Sequence, residues 1–195
     1  MSRYNKFLWI MVGVLVVVMV VQFIYTTNRK PPYEQLSYYA NYTFGYATPV
    51  SIYDDVQLYY ANPSDLQKAL QEFNKLTPQD KFNSYTSMFD NLSKSTKIQF
   101  KAISYQSSAT IIGDNTLQFN ESSVVDGIVT LNGGEYRISM GNIGIKLDKG
   151  SEIVFTFPQG TRIISVKPTP TTVSDGILTW KGPVNLTFPE VVYTK

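Results

Sequence analysis

From Leu36 to Tyr46 polar and apolar residues alternate. Leu36, Tyr38, Ala40, Tyr42, Phe44 and Tyr46 share one phase, while Ser37, Asn41, Thr43 and Gly45 share the other. A period of two predicts a β-strand with one buried face. Val56, Leu58 and Tyr60 repeat the pattern after Asp54-Asp55, which reads as a solvated turn. The period then lengthens. Leu66, Ala69, Leu70, Phe73 and Leu76 form one apolar stripe, and Phe82, Tyr85, Phe89 and Leu92 form a second, so two amphipathic helices are expected as a hairpin over about residues 63–93. Asn62-Pro63-Ser64-Asp65 and Thr77-Pro78-Gln79-Asp80 each offer an N-cap, a proline at the first helical position and an acid at N3.

Beyond Thr96 the chain reads as short strands punctuated by Gly113-Asp114-Asn115, Asp126-Gly127, Asn132-Gly133-Gly134, Asp148-Lys149-Gly150 and Pro158-Gln159-Gly160. The alternating pairs are Ile98/Phe100, Leu117/Phe119, Tyr136/Ile138/Met140, Ile143/Ile145/Leu147, Ile153/Phe155/Phe157 and Val184/Leu186/Phe188. Turns this closely spaced suggest a sandwich or open barrel, and the prolines between Lys167 and Thr172 suggest an extended connection. The fold class expected is mainly β (α+β): an antiparallel β-sandwich-like domain with a two-helix insertion, preceded by a transmembrane helix.

That helix is the run from Phe7 to Tyr25, nineteen residues in which Gln22 alone is strongly polar. As a helix it would span about 28 Å, enough for the hydrocarbon core of a bilayer. Trp9 at one end, and Phe23 and Tyr25 at the other, suit the two membrane interfaces. A buried core helix would need a polar face, and a cleaved signal peptide would carry a shorter apolar stretch and a small-residue cleavage site; Ile24-Tyr25-Thr26 offers a poor one. Arg3 and Lys6 nearly balance Arg29 and Lys30, and the free amino terminus tips the count inward. The expected organisation is a cytoplasmic tail (1–6), a membrane helix (7–25), a linker with Pro31-Pro32 (26–35) and an extracytoplasmic β-rich domain (36–195). The localisation expected is therefore the cell membrane, single-pass, with the C-terminal domain extracellular.

Removing the first thirty residues changes the charge. The whole chain is net +2, but residues 31–195 carry 13 basic and 15 acidic side chains and are net −2. No positive stripe remains to neutralise phosphates, so no nucleic-acid partner is expected. With 43% hydrophobic, 14% aromatic and 16% charged residues, the chain has the makings of a core. It contains no cysteine and no histidine, which excludes disulfides, thiolate metal sites and Ser-His-Asp or Cys-His catalysis.

No catalytic, cofactor-binding or metal residue is expected. Asp54-Asp55 could begin a carboxylate site, but neighbouring strand residues point to opposite faces and no partner carboxylate suggests itself. Asp148-Lys149-Gly150-Ser151 sets a lysine near a serine within turn residues, and a hairpin is the simpler reading. Four N-x-S/T sequons, at Asn41, Asn91, Asn120 and Asn185, fall on polar faces and are candidate glycosylation sites; the composition alone would give about two by chance. Nine aromatic residues crowd between Tyr33 and Tyr60. Of these, Tyr39 and Tyr59 are out of phase with the buried face and are candidate interface residues, tyrosine being favoured where a protein contacts sugar, protein or lipid headgroups.

The segments Ile153-Val-Phe-Thr-Phe-Pro-Gln-Gly160, Ile163-Ile-Ser-Val-Lys-Pro168, Leu178-Thr-Trp-Lys-Gly-Pro183 and Phe188-Pro-Glu-Val-Val-Tyr193 resemble the end of uncharacterised archaeal single-pass membrane-anchored proteins, whose layout is also similar. The resemblance implies an archaeal cell-surface location and an external β domain, and no activity. The accessory proteins that tie the archaeal swimming motor to the envelope share the layout, but are shorter and purely β.

Two functions follow as expectations. The first is a cell-envelope binding or structural module of unknown partner, contacting the bilayer, an envelope protein, a glycan or another copy of itself. The second is a membrane-anchored hydrolase of envelope glycans, which requires two carboxylates about 5 to 10 Å apart in a cleft.

Overall fold

The computed structural model describes residues 31–195. The membrane helix expected at 7–25, the tail before it and the start of the linker lie outside the described residues. Among the described residues, no helix is long and apolar enough to cross a membrane.

The domain is mainly β with two helices. Strands β1 (Tyr33–Thr43) and β2 (Val50–Tyr60) form the first hairpin, and helices α1 (Pro63–Lys75) and α2 (Pro78–Thr96) follow. A second long hairpin comprises β3 (Lys101–Ile112) and β4 (Thr116–Asp126). Shorter strands complete the chain: β5 (Val129–Asn132), β6 (Glu135–Ile138), β7 (Gly144–Leu147), β8 (Glu152–Thr156), β9 (Arg162–Lys167), β10 (Thr172–Ser174), β11 (Ile177–Lys181), β12 (Val184–Thr187) and β13 (Glu190–Thr194). They build a seven-stranded sheet in the order β10-β11-β8-β1-β2-β4-β3, a four-stranded sheet β5-β6-β13-β9 and a two-stranded sheet β12-β7.

One pairing departs from the antiparallel expectation. β8 lies parallel to β1, with Tyr39 opposite Glu152 and Thr43 opposite Thr156. A parallel neighbour needs a long crossover, and everything from β2 to β7 supplies it.

The alternation in β1 is as read from Tyr38 to Phe44, all apolar members of which are buried. Leu36 is 44% exposed because the register slips between Gln35 and Ser37, a bulge that turns it out of the face. The turn expected at Asp54-Asp55 is not there. Both residues sit in mid-strand, and the chain reverses instead between Thr43 and Val50, so Ile52, Asp54, Val56 and Leu58 form one unbroken inward row. Ile98 and Phe100 likewise precede β3 rather than form a strand: Lys97 caps α2 in the left-handed conformation and the chain re-enters the sheet only at Lys101.

The helices start where their caps predict. Asn62 Oδ1 accepts from Ser64 N–H at 2.9 Å, and Thr77 Oγ1 accepts from Asp80 N–H while the Asp80 carboxylate accepts from Thr77 N–H, a complete capping box. Their apolar stripes cover one half of the inner face of the large sheet. Phe73 meets Phe119 edge-on at 5.4 Å and Tyr85 stacks on Tyr105 at 4.3 Å. The four-stranded sheet and Phe188 cover the other half. There Tyr42, Phe44, Phe155, Phe157, Phe188 and Tyr193 lock together with centroids 4.8 to 6.5 Å apart, and the Tyr193 hydroxyl donates to the Gly45 carbonyl at 2.8 Å. Among the described residues, nothing comparable covers the outer face of the large sheet around β1, β2 and β4.

Candidate functional site

Two places in the domain hold polar chemistry beyond the needs of folding. The first is the uncovered face of the large sheet. Period two places Tyr39 and Asn41 of β1, Tyr53, Asp55, Gln57 and Tyr59 of β2, and Gln118, Asn120 and Ser122 of β4 on this side. Tyr39 lies opposite Asp55, which lies opposite Asn120; Asn41 lies opposite Tyr53, which lies opposite Ser122. The rings of Tyr39 and Tyr53 meet edge-on with centroids 6.3 Å apart. The Tyr53 hydroxyl donates to Asn120 Oδ1 at 2.8 Å, Thr156 donates to Asn41 Oδ1 at 2.9 Å, and the Gln118 amide donates to the Asp55 carboxylate. Partial burial holds both phenols above their ordinary pKa, reinforced by Glu152 beside Tyr39 and Asp55 beside Tyr53. They therefore remain donors at neutral pH. Beside Tyr53 a depression of about 360 Å³ is lined by Thr43, Ser51, Ser104, Gln106, Ser122 and Val124, among others. Aromatic rings beside hydroxyls and amides, with little formal charge, suit a neutral polar ligand.

Of the two tyrosines singled out in the sequence, Tyr39 belongs to this patch. Tyr59 is 37% exposed on the same face, but six residues along β2 from Tyr53, roughly 20 Å away. Sequence reasoning passed over Tyr53, which is 41% exposed. Its phase, alternating with Ile52, was the available signal, and the turn misplaced at Asp54-Asp55 concealed it.

The second place lies beneath the helices. Asp54 and Glu121 are direct cross-strand partners on β2 and β4 and both point inward, 1% and 3% exposed. The Tyr38 hydroxyl donates to Asp54 Oδ1 at 3.0 Å, and the Tyr105 hydroxyl donates to Glu121 Oε1 at 2.8 Å. Among the described residues Asp54 Oδ2 and Glu121 Oε2 have no hydrogen-bond partner. Burial raises both acids. Asp54 stands well above its usual value, from desolvation first and then the charge of Glu121, opposed by the Tyr38 bond. Glu121 is pushed up to about 7 by desolvation, opposed by Tyr105 and by Lys81. Glu121 is accordingly near its midpoint at pH 7, beside an Asp54 whose neutral form burial favours. Tyr38, Tyr42, Tyr85 and Ser123 are buried beside them, and neither acid is open to solvent. Among the described residues no group of three or more potential ligands could hold a metal ion.

The sequon asparagines occupy different settings. Asn91 on α2 and Asn185 on β12 are exposed, whereas Asn41 and Asn120 are half-buried on the open face with their carbonyl oxygens engaged. Asp148, Lys149 and Gly150 form the β7–β8 turn, and Ser151 is buried behind it.

Fold and face together define a mainly β domain whose large sheet is packed on one side by helices and a second sheet and, among the described residues, open on the other. Residues 33–194 match the domain of unknown function DUF4897, and the chain belongs to that family. Among solved structures, the NMR structure of the folded domain of Mycobacterium tuberculosis LppM is similar at 12% identity, covering 87% of this chain and 96% of that one with a TM-score of 0.46. No curated protein matches the chain.

Proposed function

We propose that this protein is a membrane-anchored binding module of the cell envelope, held by residues 7–25 and engaging its partner through the open face around Tyr39 and Tyr53. The observation that carries the reading is the patch itself: two tyrosines in edge-on contact, one 41% exposed, beside a depression lined by hydroxyls and amides on a sheet face that nothing among the described residues covers. The chemistry fits a glycan or a polar protein surface. The interior pair Asp54 and Glu121, 1% and 3% exposed beneath the helices, offers no substrate a carboxylate site, which disfavours a glycan hydrolase built on those two acids.

Placement and recognition are tested separately. The full-length chain should pellet with membranes after an alkaline carbonate wash, and protease added to intact cells should remove the C-terminal domain. Recovery in the soluble fraction, or full protection from protease, refutes the anchored external arrangement. For recognition, the full-length chain in detergent is exposed to envelope polysaccharide from the cells that produce it. Wild type should be retained and Tyr53→Ala should lose retention at least several-fold with an unchanged melting temperature; equal retention of both sinks the assignment of the open face.

A further inference from the structure

A strand at the edge of a sheet exposes a row of unpaired N–H and C=O groups, and proteins blunt such edges with short strands, charges, prolines or bulges. Most edges here follow that rule. β10 is three residues long and follows Pro168 and Pro170, β5, β7 and β12 are four residues each, and β9 is bracketed by Arg162 and Lys167. β3 does not. It is the outermost strand of the large sheet and twelve residues long, and from Ala102 to Ile112 it contains no charge and no proline. Its bulge lies at its beginning, at Ile103; from Ser104 to Ile112 it runs in unbroken register with β4. No turn, loop or cap among the described residues donates to or accepts from the outward backbone of that stretch.

We propose that β3 is an intermolecular pairing edge, on which β3 of a second copy of this chain lies antiparallel about a two-fold axis near Ser107, joining two seven-stranded sheets into one.

Three features favour a second copy over an unrelated strand. The first is charge. Lys101 opens the strand and Asp114 follows its end; both are exposed and neither has an ion-pair partner among the described residues. Antiparallel pairing centred on Ser107 sets Lys101 of each copy beside the mate's Gly113-Asp114, plus against minus at both ends, whereas parallel pairing would set like against like. The second is the side-chain rows. In that register Ser104 faces the mate's Thr110 and Gln106 faces its Ser108 on the open face, hydrogen-bonding pairs that favour cross-strand contact. The third is unfinished burial. On the helix side α2 packs on β3, with Tyr85 stacked on Tyr105, yet Tyr105, Ser107, Ala109 and Ile111 are only half-buried, and a mate would complete their cover. The axis also brings the Ser107 hydroxyl opposite its own symmetry mate. The assembly is isologous and closed, which would protect this edge from open-ended aggregation. It adjoins the open face, because Ser104 and Gln106 also line the depression beside Tyr53, and the mass of the chain measured without added polysaccharide reports on the edge alone.

The test is the mass of the full-length chain in detergent over a dilution series, by light scattering corrected for bound detergent. Wild type should be a dimer that dissociates on dilution. In Gln106→Lys/Ser108→Lys each new ammonium faces another across the axis on an exposed, polar row, so the mass should halve with the circular dichroism spectrum retained. A charge-swap cycle guards against misfolding of that variant. Lys101→Asp should weaken the dimer, roughly fivefold for two exposed ion pairs, and Lys101→Asp/Asp114→Lys should restore it. A monomeric wild type throughout overturns the proposal. So does a dimer indifferent to the lysines or to the swap, since it would associate elsewhere.

Discussion

Asp54 and Glu121 face each other across β2 and β4 at the one point where the inner face of the large sheet is acidic. Each spends one oxygen on a tyrosine hydroxyl, and the other has no hydrogen-bond partner among the described residues. Two buried carboxylates at adjacent cross-strand positions cannot both ionise cheaply, so the pair keeps a proton that isolated acids would lose.

Stability should therefore fall as pH rises. Glu121 goes from an ordinary 4.5 to about 7 in the fold, so between these values the native state binds a proton that the unfolded chain has released. Its contribution is complete below about pH 4.5 and lost by the time pH passes 7, a change of about 3 kcal/mol at 1.36 kcal/mol per unit. Asp54 is raised in the same direction, by burial first, and adds to the loss. Urea unfolding at a series of pH values should show the decline, and Glu121→Gln, which keeps the acceptor for Tyr105, should make it shallower between pH 5 and about 7, leaving the part that comes from Asp54. A wild-type profile that rises over that interval contradicts the buried-pair assignment.

Much of this arrangement was legible along the chain, and what was not has identifiable causes. The helix caps were readable because capping chemistry is local: Asn62 and Thr77 act on backbone groups two and three residues away. Glu121 was hidden although its phase reveals it, since it alternates with Leu117 and Phe119 as Asp54 does with Val56 and Leu58. Hydrophobic patterning assigns an acid to the outside by default, and only the register of β2 on β4 shows that two share one interior site. β3 escaped notice because its bulge at Ile103 breaks the alternation and its serines give an edge strand no apolar face. The parallel β1–β8 pairing has no local signature at all.

The cap of α1 gives a direct test of the legible part. Replacing Asn62 by Ala removes the acceptor for Ser64 N–H and should cost about 1 kcal/mol, read as a lower urea midpoint with an unchanged denaturant slope. Asn62→Asp should recover most of the loss, because its carboxylate accepts the same bond and suits the positive end of the helix dipole. Failure of Asp to recover would mean that the side chain acts other than as a cap.

Trp180 tests the second half of the core. It is 2% exposed, meets Phe155 edge-on at 4.9 Å, and its indole N–H donates to the Pro168 carbonyl at 3.0 Å. Trp180→Ala should destabilise by about 3–5 kcal/mol through the cavity it leaves. Trp180→Phe keeps part of the ring packing and strands the carbonyl, so it should fall between wild type and Ala. Equal losses for the two variants would show that packing against Phe155 contributes little.

The sequons make the last prediction, conditional on production with the domain on the glycosylating side of a membrane. A glycan needs an asparagine amide free to react and room for the sugar. Asn185 and Thr187 are both exposed on the short strand β12. Asn91 is exposed too, but its Ser93 is 9% exposed and fully engaged, donating to the Phe89 carbonyl and accepting from Phe100 N–H. Asn41 and Asn120 are tied to Thr156 and Tyr53, and sugar on either would bury the open face. Folded protein should therefore carry one glycan, at Asn185. Intact mass before and after Asn185→Gln should differ by that one glycan, and peptide mapping should find Asn41 and Asn120 unmodified. A glycan on either of those two would deny the open face to any partner and, with it, the binding role proposed for Tyr39 and Tyr53.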